Sequence, residues 1–527
     1  MGKKWQWLIC VLALLVASSA VLAQRQGRPP GEPGAPAQAQ QQAQQQQQQA
    51  PERRGVPAVE KISVTQHTTH IGGQEIKYTA AAGTMILRDN DGQPKASAFF
   101  VAYTRDDVTD FSKRPLTFAY NGGPGSASIW VHMGAFGPMK VQLAEDGHAL
   151  PPPPRIVENE DSLLDVTDIV FVDPISTGFS RPAPGENPNE FHGVREDAEW
   201  VGQFIRQYVT KYNRWGSPKF LAGESYGTTR SAALSGVLQQ RFGIYMNGIV
   251  LVSAVLNFQT ISFAVGNDLP PVLFLPTYTA TAWYHKKLPA DLQGNLQKAI
   301  QEARDFAAGE YNQALMKGDK LSDAERKSVV QKLARLTGLT PKYIEETNLR
   351  VNVGRFTKEL LRDERRTVGR IDSRFTGIDL DAAGERYESD PSQGNYSGAF
   401  TQAFNDYVRR ELKYESDLLY YTSGPVRPWS YEPNQNSYVN VAETLRAAMS
   451  TNQDLRVLVC NGYYDLATPF FAMEYTVDHL GLDPTLRSHI AMAYYEAGHM
   501  MYINKAAHAK LKKDIADFIR STISTGR

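Results

Sequence analysis

Residues 219–227 read Lys219-Phe-Leu-Ala-Gly223-Glu224-Ser225-Tyr226-Gly227, an apolar run of strand type that leads straight into the pattern Gly-x-Ser-x-Gly. The stretch that follows, Thr228 to Gln240, is compatible with a helix. Small residues on both sides of a serine allow a sharp turn from strand to helix, which projects the hydroxyl at the carboxyl end of the strand. The context therefore favours a nucleophile elbow at Ser225 over an ordinary strand–helix turn.

Other apolar runs surround this one, and each leads into a glycine-rich or polar segment: Leu116–Tyr120, Asp168–Val172, Asn247–Ser253, Leu455–Cys460 and Ser488–Tyr494. Helical stretches such as Arg195–Tyr212 lie between several of them. Continuous apolar strands that alternate with helices are typical of a mostly parallel sheet covered on both faces. Upstream, four strand-like runs separated by turn formers predict an antiparallel start to the sheet: Lys61–Thr69, Gln74–Ala81, Gly83–Arg88 and Lys95–Tyr103.

One region, 288–421, interrupts this rhythm because it is polar and helix-like, with no comparable strand. Ser322 and Glu325 have capping-box spacing, and Thr340-Pro341 is a typical helix start. We therefore predict a core of residues 59–287 and 422–527, with residues 288–421 forming a helical cap insertion over the site.

A serine nucleophile needs an adjacent base that is itself oriented by a carboxylate. After a nucleophile elbow these partners follow in the chain order acid, then histidine. Asp465 stands just past the run that ends at Cys460, and His499 lies in a glycine-containing loop after the last predicted strand. The other histidines lie in strands, loops or helical contexts without such a setting. The sequence has no HExxH motif and no Cys/His cluster with ligand spacing, so we expect neither a metal nor another cofactor.

A glycine-rich loop, Asn121-Gly122-Gly123-Pro124-Gly125-Ser126, directly follows the run Leu116–Tyr120. Such a loop can turn backbone N–H groups toward a developing oxyanion, beside the N–H of the residue after the nucleophile. A phosphate-binding role is disfavoured because no Gly-Lys-Ser/Thr follows.

With these pieces in place, the chain resembles the serine carboxypeptidase family over about residues 95–265 and 430–520. The motifs that carry the resemblance are Asn121-Gly-Gly-Pro-Gly125, Phe171-Val-Asp173-Pro-Ile-Ser-Thr-Gly178-Phe179-Ser180, Gly223-Glu224-Ser225-Tyr226 and Gly498-His499-Met500. The resemblance implies an α/β-hydrolase fold, a mostly parallel central sheet with helices on both faces. It implies a catalytic triad of Ser225, Asp465 and His499. It implies an oxyanion hole made by the N–H groups of Gly123 and Tyr226. It also implies binding of the substrate's terminal carboxylate by Asn121, Gly122 and Glu224.

The chain departs from the family pattern at three positions. Ala119 stands where the family usually has tryptophan, and Ser126 stands where it has cysteine. Ala135 stands where the family has a second glutamate, just before a Gly-Pro pair. His132, three residues earlier on the same face of a predicted short helix, is a candidate positive partner for the substrate carboxylate; the alternative is an unrelated surface histidine.

Three functions remain open on this basis. The first is a serine hydrolase that releases C-terminal residues from peptides through an acyl-enzyme. The second is an esterase or acyltransferase with the same machinery. The third is a non-catalytic envelope-binding protein, which the complete set of catalytic residues disfavours.

Composition and the N-terminal segment bear on location and partners. The 527 residues include 56 Lys+Arg and 56 Asp+Glu, so no basic excess favours nucleic acid. Residues 1–23 have the charged start, apolar core and small final residues of a signal peptide, and residues 24–58 form a Pro/Gln-rich stretch expected to be a disordered tether. Removal of the signal would leave Cys460 as the one thiol, so no intrachain disulfide is possible. We therefore expect a bacterial protein exported to the periplasm or medium, with a peptide substrate and no stable membrane insertion after signal removal.

Overall fold

The computed structural model describes residues 59–524, and the predicted signal peptide and tether lie outside them. The strands of this part are β1 (Lys61–Ile71), β2 (Gln74–Arg88), β3 (Pro94–Arg105), β4 (Leu116–Tyr120), β5 (Met139–Val141), β6 (Ile156–Glu158), β7 (Asp168–Val172), β8 (Arg181–Pro182), β9 (Lys219–Glu224), β10 (Gly248–Val252), β11 (Thr367–Val368), β12 (Thr376–Gly377), β13 (Arg456–Gly462) and β14 (Ile490–Tyr495). The α-helices are α1 (Val194–Lys211), α2 (Tyr226–Phe242), α3 (Leu269–Tyr284), α4 (Ala290–Gln293), α5 (Leu296–Phe306), α6 (Asn312–Lys317), α7 (Asp323–Thr337), α8 (Pro341–Glu346), α9 (Val353–Glu359), α10 (Pro391–Arg410), α11 (Ala442–Thr451), α12 (Phe470–Asp478) and α13 (Lys505–Ser524).

A ten-stranded sheet forms the centre, in the order β1-β2-β3-β7-β4-β9-β10-β13-β14, with β8 paired to β3. In this sheet order, neighbouring strands are antiparallel from β1 through β3 to β7, and they are parallel from β7 through β4, β9, β10 and β13 to β14. Strands β4, β7, β9 and β10 are buried along their whole length, which explains their continuous apolar sequence. The predicted α/β fold with a mostly parallel sheet is confirmed.

The predicted break between Gln74–Ala81 and Gly83–Arg88 is wrong, because both runs belong to the single strand β2. Gly83 pairs with Ile62 of β1. A Cβ at Gly83 would lie 2.6 Å from the Cα of Ile62, so this glycine permits a close approach of two strands. It does not mark a turn.

The chain between β10 and β13 is mainly helical, apart from the short antiparallel pair β11–β12. The helices of this region begin at Leu269, before residue 288. The first of them, α3, is largely apolar, so composition does not distinguish it from a helix of the core. Helices α3, α5 and α7 contribute to a hydrophobic cluster separate from those of the sheet. By contrast, Tyr396, Phe400 and Phe404 of α10 belong to the cluster that covers one face of the sheet. The predicted capping box is present: Ser322 and Glu325 bond reciprocally at the start of α7.

None of the helices between residues 59 and 524 combines the length and the apolar content that crossing a membrane requires.

Candidate active site

Ser225 lies at the turn between β9 and α2, with φ 60° and ψ −130°. Its N–H donates to Val252 O at 3.0 Å. A Cβ at Gly223 would lie 2.2 Å from Gly227 O, and one at Gly227 would lie 3.0 Å from Tyr120 O. Both glycines are therefore needed for the tight turn, which holds Ser225 in a conformation that costs a non-glycine residue about 1–3 kcal/mol. This is the geometry of a nucleophile elbow.

Asp465 and His499 follow β13 and β14, which are adjacent parallel strands, so their loops meet at the same edge of the sheet. His499 Nδ1 lies 2.8 Å from Asp465 Oδ2, and both side chains are buried. The Asp465 carboxylate also accepts from the N–H groups of Ala467 (2.8 Å) and Thr468 (3.0 Å), and from the Thr468 hydroxyl (2.6 Å). These bonds hold the carboxylate in place with Oδ2 directed at Nδ1, which leaves Nε2 as the basic nitrogen.

The pKa of His499 is raised above its ordinary value of 6.5. Burial lowers it, but the charge of Asp465 and the hydrogen bond to that carboxylate outweigh burial.

Ser225 and His499 line one cavity of about 220 Å³. Within residues 59–524 no hydrogen bond joins their reactive atoms, and catalytic contacts of this kind often tighten only when substrate is bound. Ile371 and Tyr396, from the chain between β10 and β13, line the same cavity. The cavity therefore has walls from both the sheet and the mainly helical region.

The glycine-rich loop after β4 lies directly against the N-terminus of α2. A Cβ at Gly122 would be 2.4 Å from Tyr226 N, and Gly123 has φ 103°, so both positions favour glycine. Arg230, paired with Asp197 at 2.7 Å, donates to Asn121 O at 2.6 Å and holds the loop in place. In the described part of the chain the N–H groups of Gly123 and Tyr226 bond to no protein acceptor, so both are free to bind a ligand oxygen.

Asn121 and Glu224 form a buried pair beside the cavity. Asn121 Nδ2 donates to Glu224 Oε1 at 3.0 Å, while Asn121 Oδ1 accepts from the N–H groups of Trp130 (3.2 Å) and Val131 (3.0 Å). Those two bonds fix the orientation of the amide. Burial raises the pKa of Glu224 to about 7, with smaller opposing effects from His499 and hydrogen bonding.

His132 is neither a partner for a substrate carboxylate nor a surface histidine, so both sequence interpretations are wrong. Its ring stacks on Phe171 at 4.3 Å, and Nε2 lies 2.7 Å from the hydroxyl of Tyr103. Burial lowers its pKa to about 3, so the ring is neutral near pH 7. The short helix Val131–Phe136 is buried on every side, which its sequence spacing could not reveal.

A segment of the chain after β11, residues 370–374, supports the loop of His499. Ile371 O accepts from the His499 N–H at 2.8 Å, and Asp372 Oδ2 accepts from the Gly498 N–H at 3.2 Å. Asp372 is fully buried and paired with Arg374 at 2.6 Å.

The same segment also contacts the loop of Asp465. Arg370 O accepts from the Leu466 N–H at 3.1 Å, and the Ser373 N–H donates to Tyr464 O at 3.0 Å. We call residues 370–374 the brace, since they bond to both loops. Nothing in the linear sequence identifies them, because 91 residues separate Arg374 from Asp465 and 124 separate it from Gly498 (465 − 374 and 498 − 374).

The mostly parallel sheet and the strained serine at its strand-to-helix turn define an α/β-hydrolase. The family model described as serine carboxypeptidase matches residues 75–513, and the chain belongs to that family.

Curated relatives share only part of their length with this chain. The pheromone-processing carboxypeptidase KEX1 of Saccharomyces cerevisiae is 30% identical over 156 residues, which are 28% of this chain and 20% of KEX1. Serine carboxypeptidase-like 45 of Arabidopsis thaliana is 26% identical over 208 residues, 38% of this chain and 41% of that protein. The chain thus spans about one fifth to two fifths of these relatives.

The crystal structure of KEX1ΔP, a prohormone-processing carboxypeptidase from Saccharomyces cerevisiae, is similar in fold. It aligns with a TM-score of 0.51 at 15% identity and covers 84% of this chain and 91% of that one.

Proposed function

We propose that this protein is a serine carboxypeptidase that removes residues from the C-terminus of peptides through an acyl-enzyme. The observation that carries the proposal is the Asp465–His499 pair at 2.8 Å, whose histidine shares a cavity with Ser225 and the Asn121–Glu224 pair. One part of that cavity can perform acyl transfer, and another can bind a terminal carboxylate.

In the acylation step, His499 Nε2 takes the proton of the Ser225 hydroxyl as Oγ attacks the scissile carbonyl carbon. Asp465 keeps the Nδ1 proton in place and stabilises the imidazolium. The N–H groups of Gly123 and Tyr226 donate to the oxyanion. When the C–N bond breaks, His499 returns the proton to the leaving amine, and the released C-terminal residue departs.

In the deacylation step, a water molecule takes the place of the leaving amine. His499 removes one of its protons, the hydroxide oxygen adds to the ester carbonyl, and the C–O bond to Ser225 breaks. The proton passes back to Ser225 Oγ. The products are the free enzyme and a peptide with a new C-terminal carboxyl group.

Asn121, Gly122 and Glu224 are the proposed binding groups for the terminal carboxylate. Glu224 can serve this purpose best while protonated, because a carboxylate would repel the substrate's own charge in a buried site. Its pKa of about 7 keeps a proton on it through the acidic and near-neutral range.

An esterase or acyltransferase is the second candidate, and Ala135 favours it, because the family resemblance implies a second carboxyl group at this position and alanine has none. The two candidate functions are distinguished by comparing the rates of hydrolysis of a peptide with a free C-terminus, its C-terminal amide and its methyl ester. A carboxypeptidase prefers the free acid, whereas an esterase hydrolyses the ester and leaves both peptides intact.

We further propose that the protein is a bacterial hydrolase exported to the periplasm or the medium, with residues 1–23 as signal peptide and residues 24–58 as tether. The pattern of Lys3 and Lys4, an apolar core and small residues up to Ala23 supports this proposal. N-terminal sequencing of the protein from culture fractions tests it: a mature start at Gln24 is expected, and a retained Met1 would contradict it.

A further inference from the structure

Two buried polar atoms have no hydrogen-bond partner among the described residues: Oε2 of Glu224, a residue that lines the cavity, and the hydroxyl oxygen of Tyr502. Burying a polar group without a partner is unfavourable, and a native protein keeps few such groups without a reason. Both groups belong to one cluster: the Glu224 carboxyl group raises the pKa of Tyr502, after burial, and the Tyr502 hydroxyl lowers the pKa of Glu224. The two groups are close, although their geometry falls short of a complete hydrogen bond.

The ring of Tyr502 is held against the short helix that carries Ala135. Tyr502 lies three residues after His499, in the turn Met501–Ile503. A Cβ at Gly134 would lie 2.6 Å from Tyr502 Cε2, so the ring fits only because residue 134 has no side chain. The next residue, Ala135, is fully buried and is where the family resemblance puts the second glutamate. The Tyr502 phenol is therefore packed directly against the short helix, one residue before Ala135.

The titratable groups near Glu224 come from several elements: His499 and Tyr502 from the chain after β14, Asp465 from the loop after β13, and Tyr396, whose own pKa Glu224 raises, from α10. The positive form of His499 favours the Glu224 carboxylate, and Asp465 disfavours it. Among these groups Tyr502 is the one that lowers the pKa of Glu224 through a neutral hydroxyl. Its own pKa is raised well above 10, first by burial and then by Glu224, so it keeps its proton wherever the enzyme works.

We propose that Tyr502 is the positioning residue of Glu224, supplying a neutral hydroxyl where related enzymes use a second acid to orient the carboxyl group that binds the substrate's terminus. The inference rests on the proposed function. A phenol adds no second negative charge, so the carboxylate site has one titrating acid, Glu224, instead of a pair.

Tyr502→Phe tests this role through the pH profile of kcat/KM on a peptide with a free C-terminus. A donor to Glu224 stabilises the charged form, so its removal raises the pKa of Glu224 and keeps the acid protonated to higher pH. The alkaline limb of the profile should therefore shift to higher pH, by about one pH unit for the loss of one hydrogen bond to a charged group. The profile on the methyl ester, which has no terminal carboxylate, should keep its shape.

Two further variants make the test specific. Gly134→Ala adds a methyl group that pushes the ring from its place, and it should move the alkaline limb in the same direction as Tyr502→Phe. Tyr407→Phe is the matched control: it removes another buried phenol, one that bonds to the Tyr103 hydroxyl at 3.0 Å, and it should leave the limb where it is.

An unchanged alkaline limb in folded Tyr502→Phe would overturn the inference. So would an equal shift on peptide and ester, since that result indicates a merely structural role. A failure of the proposed function gives a result that differs from either of these: the wild-type enzyme itself would hydrolyse the ester and leave the peptide intact.

Discussion

At the scale of single residues, the three side chains of the proposed triad each follow the end of a strand. Ser225, Asp465 and His499 could be proposed from the sequence because each follows an apolar strand in the order that the elbow motif demands. The neighbourhood of Glu224 was predictable only in part: Asn121 follows from its motif, whereas Tyr502 reaches Glu224 through tertiary packing. The surroundings of His132 could not be predicted, because sequence spacing within a six-residue helix does not indicate which of its sides are buried by the rest of the protein.

Ser225→Ala and His499→Ala should each lower kcat by several orders of magnitude without unfolding the protein. Removal of the nucleophile or its base leaves oxyanion and binding contributions, a residual of roughly 10³–10⁴ over the uncatalysed rate. Steady-state kinetics with a thermal melt checks this result. Ser235→Ala is the control, since it removes another buried hydroxyl of α2 that bonds only within the helix. If either active-site variant retained a tenth of wild-type turnover, the triad assignment would be wrong.

The pH profile on a free-acid peptide should be bell-shaped near neutrality. The acid limb reports His499, whose raised pKa places the loss of the neutral base above 6.5. The alkaline limb reports Glu224, whose proton is lost near pH 7 and with it the favourable contact to the terminal carboxylate. Glu224→Gln, which stays neutral, should remove the alkaline limb for the peptide.

The ester gives the control profile, because it needs no contact to a terminal carboxylate and should show the acid limb alone. A single sharp optimum near pH 4–5, the range in which an ordinary carboxyl group titrates, would contradict this assignment of both limbs.

At the scale of elements, the buried strands were predicted almost to the residue, since β4 and β7 coincide with the predicted runs. Their continuous burial makes the apolar pattern unambiguous. Strand β2 was misjudged because Gly83 was interpreted as a break, whereas it permits a close contact between β2 and β1.

The brace is an element that only the fold reveals, and it should matter for turnover more than for substrate binding. Asp372→Asn keeps an acceptor for the Gly498 N–H but loses the ion pair with Arg374. We expect kcat to fall about tenfold with KM little changed, because a small misplacement of a catalytic group has such effects. Steady-state kinetics on the ester, together with an unfolding curve, measures both consequences.

Asp379→Asn is the matched control for the brace, since it breaks another buried ion pair, with Lys358, in the same region. It should lower stability and leave kcat of the folded enzyme unchanged. Equal losses of kcat in the two variants would show that the brace has no special role.

At the scale of the whole molecule, the residues between β10 and β13 supply part of the cavity wall and the brace, and we propose that they act as a cap. The sequence indicated a helical region there but could not show which of its residues face the cavity, because that depends on how α10 packs on the sheet. Substitution of cavity-lining residues in this region should therefore change the side-chain preference at the scissile bond and leave the acyl-transfer mechanism unchanged.

Deletion of residues 1–58 should leave kcat/KM on a small peptide nearly unchanged, because the Pro/Gln-rich stretch 24–58 has almost no apolar side chains to pack on a core. Kinetics and a thermal melt of the truncated protein, beside the protein that starts at Gln24, check this expectation. A large drop in the melting temperature would show that the tether docks on the folded part.

The most direct test of the central claim is mass spectrometry of the products from one peptide with a free C-terminus and from its amidated analogue. The wild-type enzyme should shorten the free acid one residue at a time from the C-terminus and act far more slowly on the amide, while Ser225→Ala should leave both intact. Internal cleavage, or equal rates on acid and amide, would contradict the proposal that Asn121, Gly122 and Glu224 bind a terminal carboxylate beside the Ser225 nucleophile.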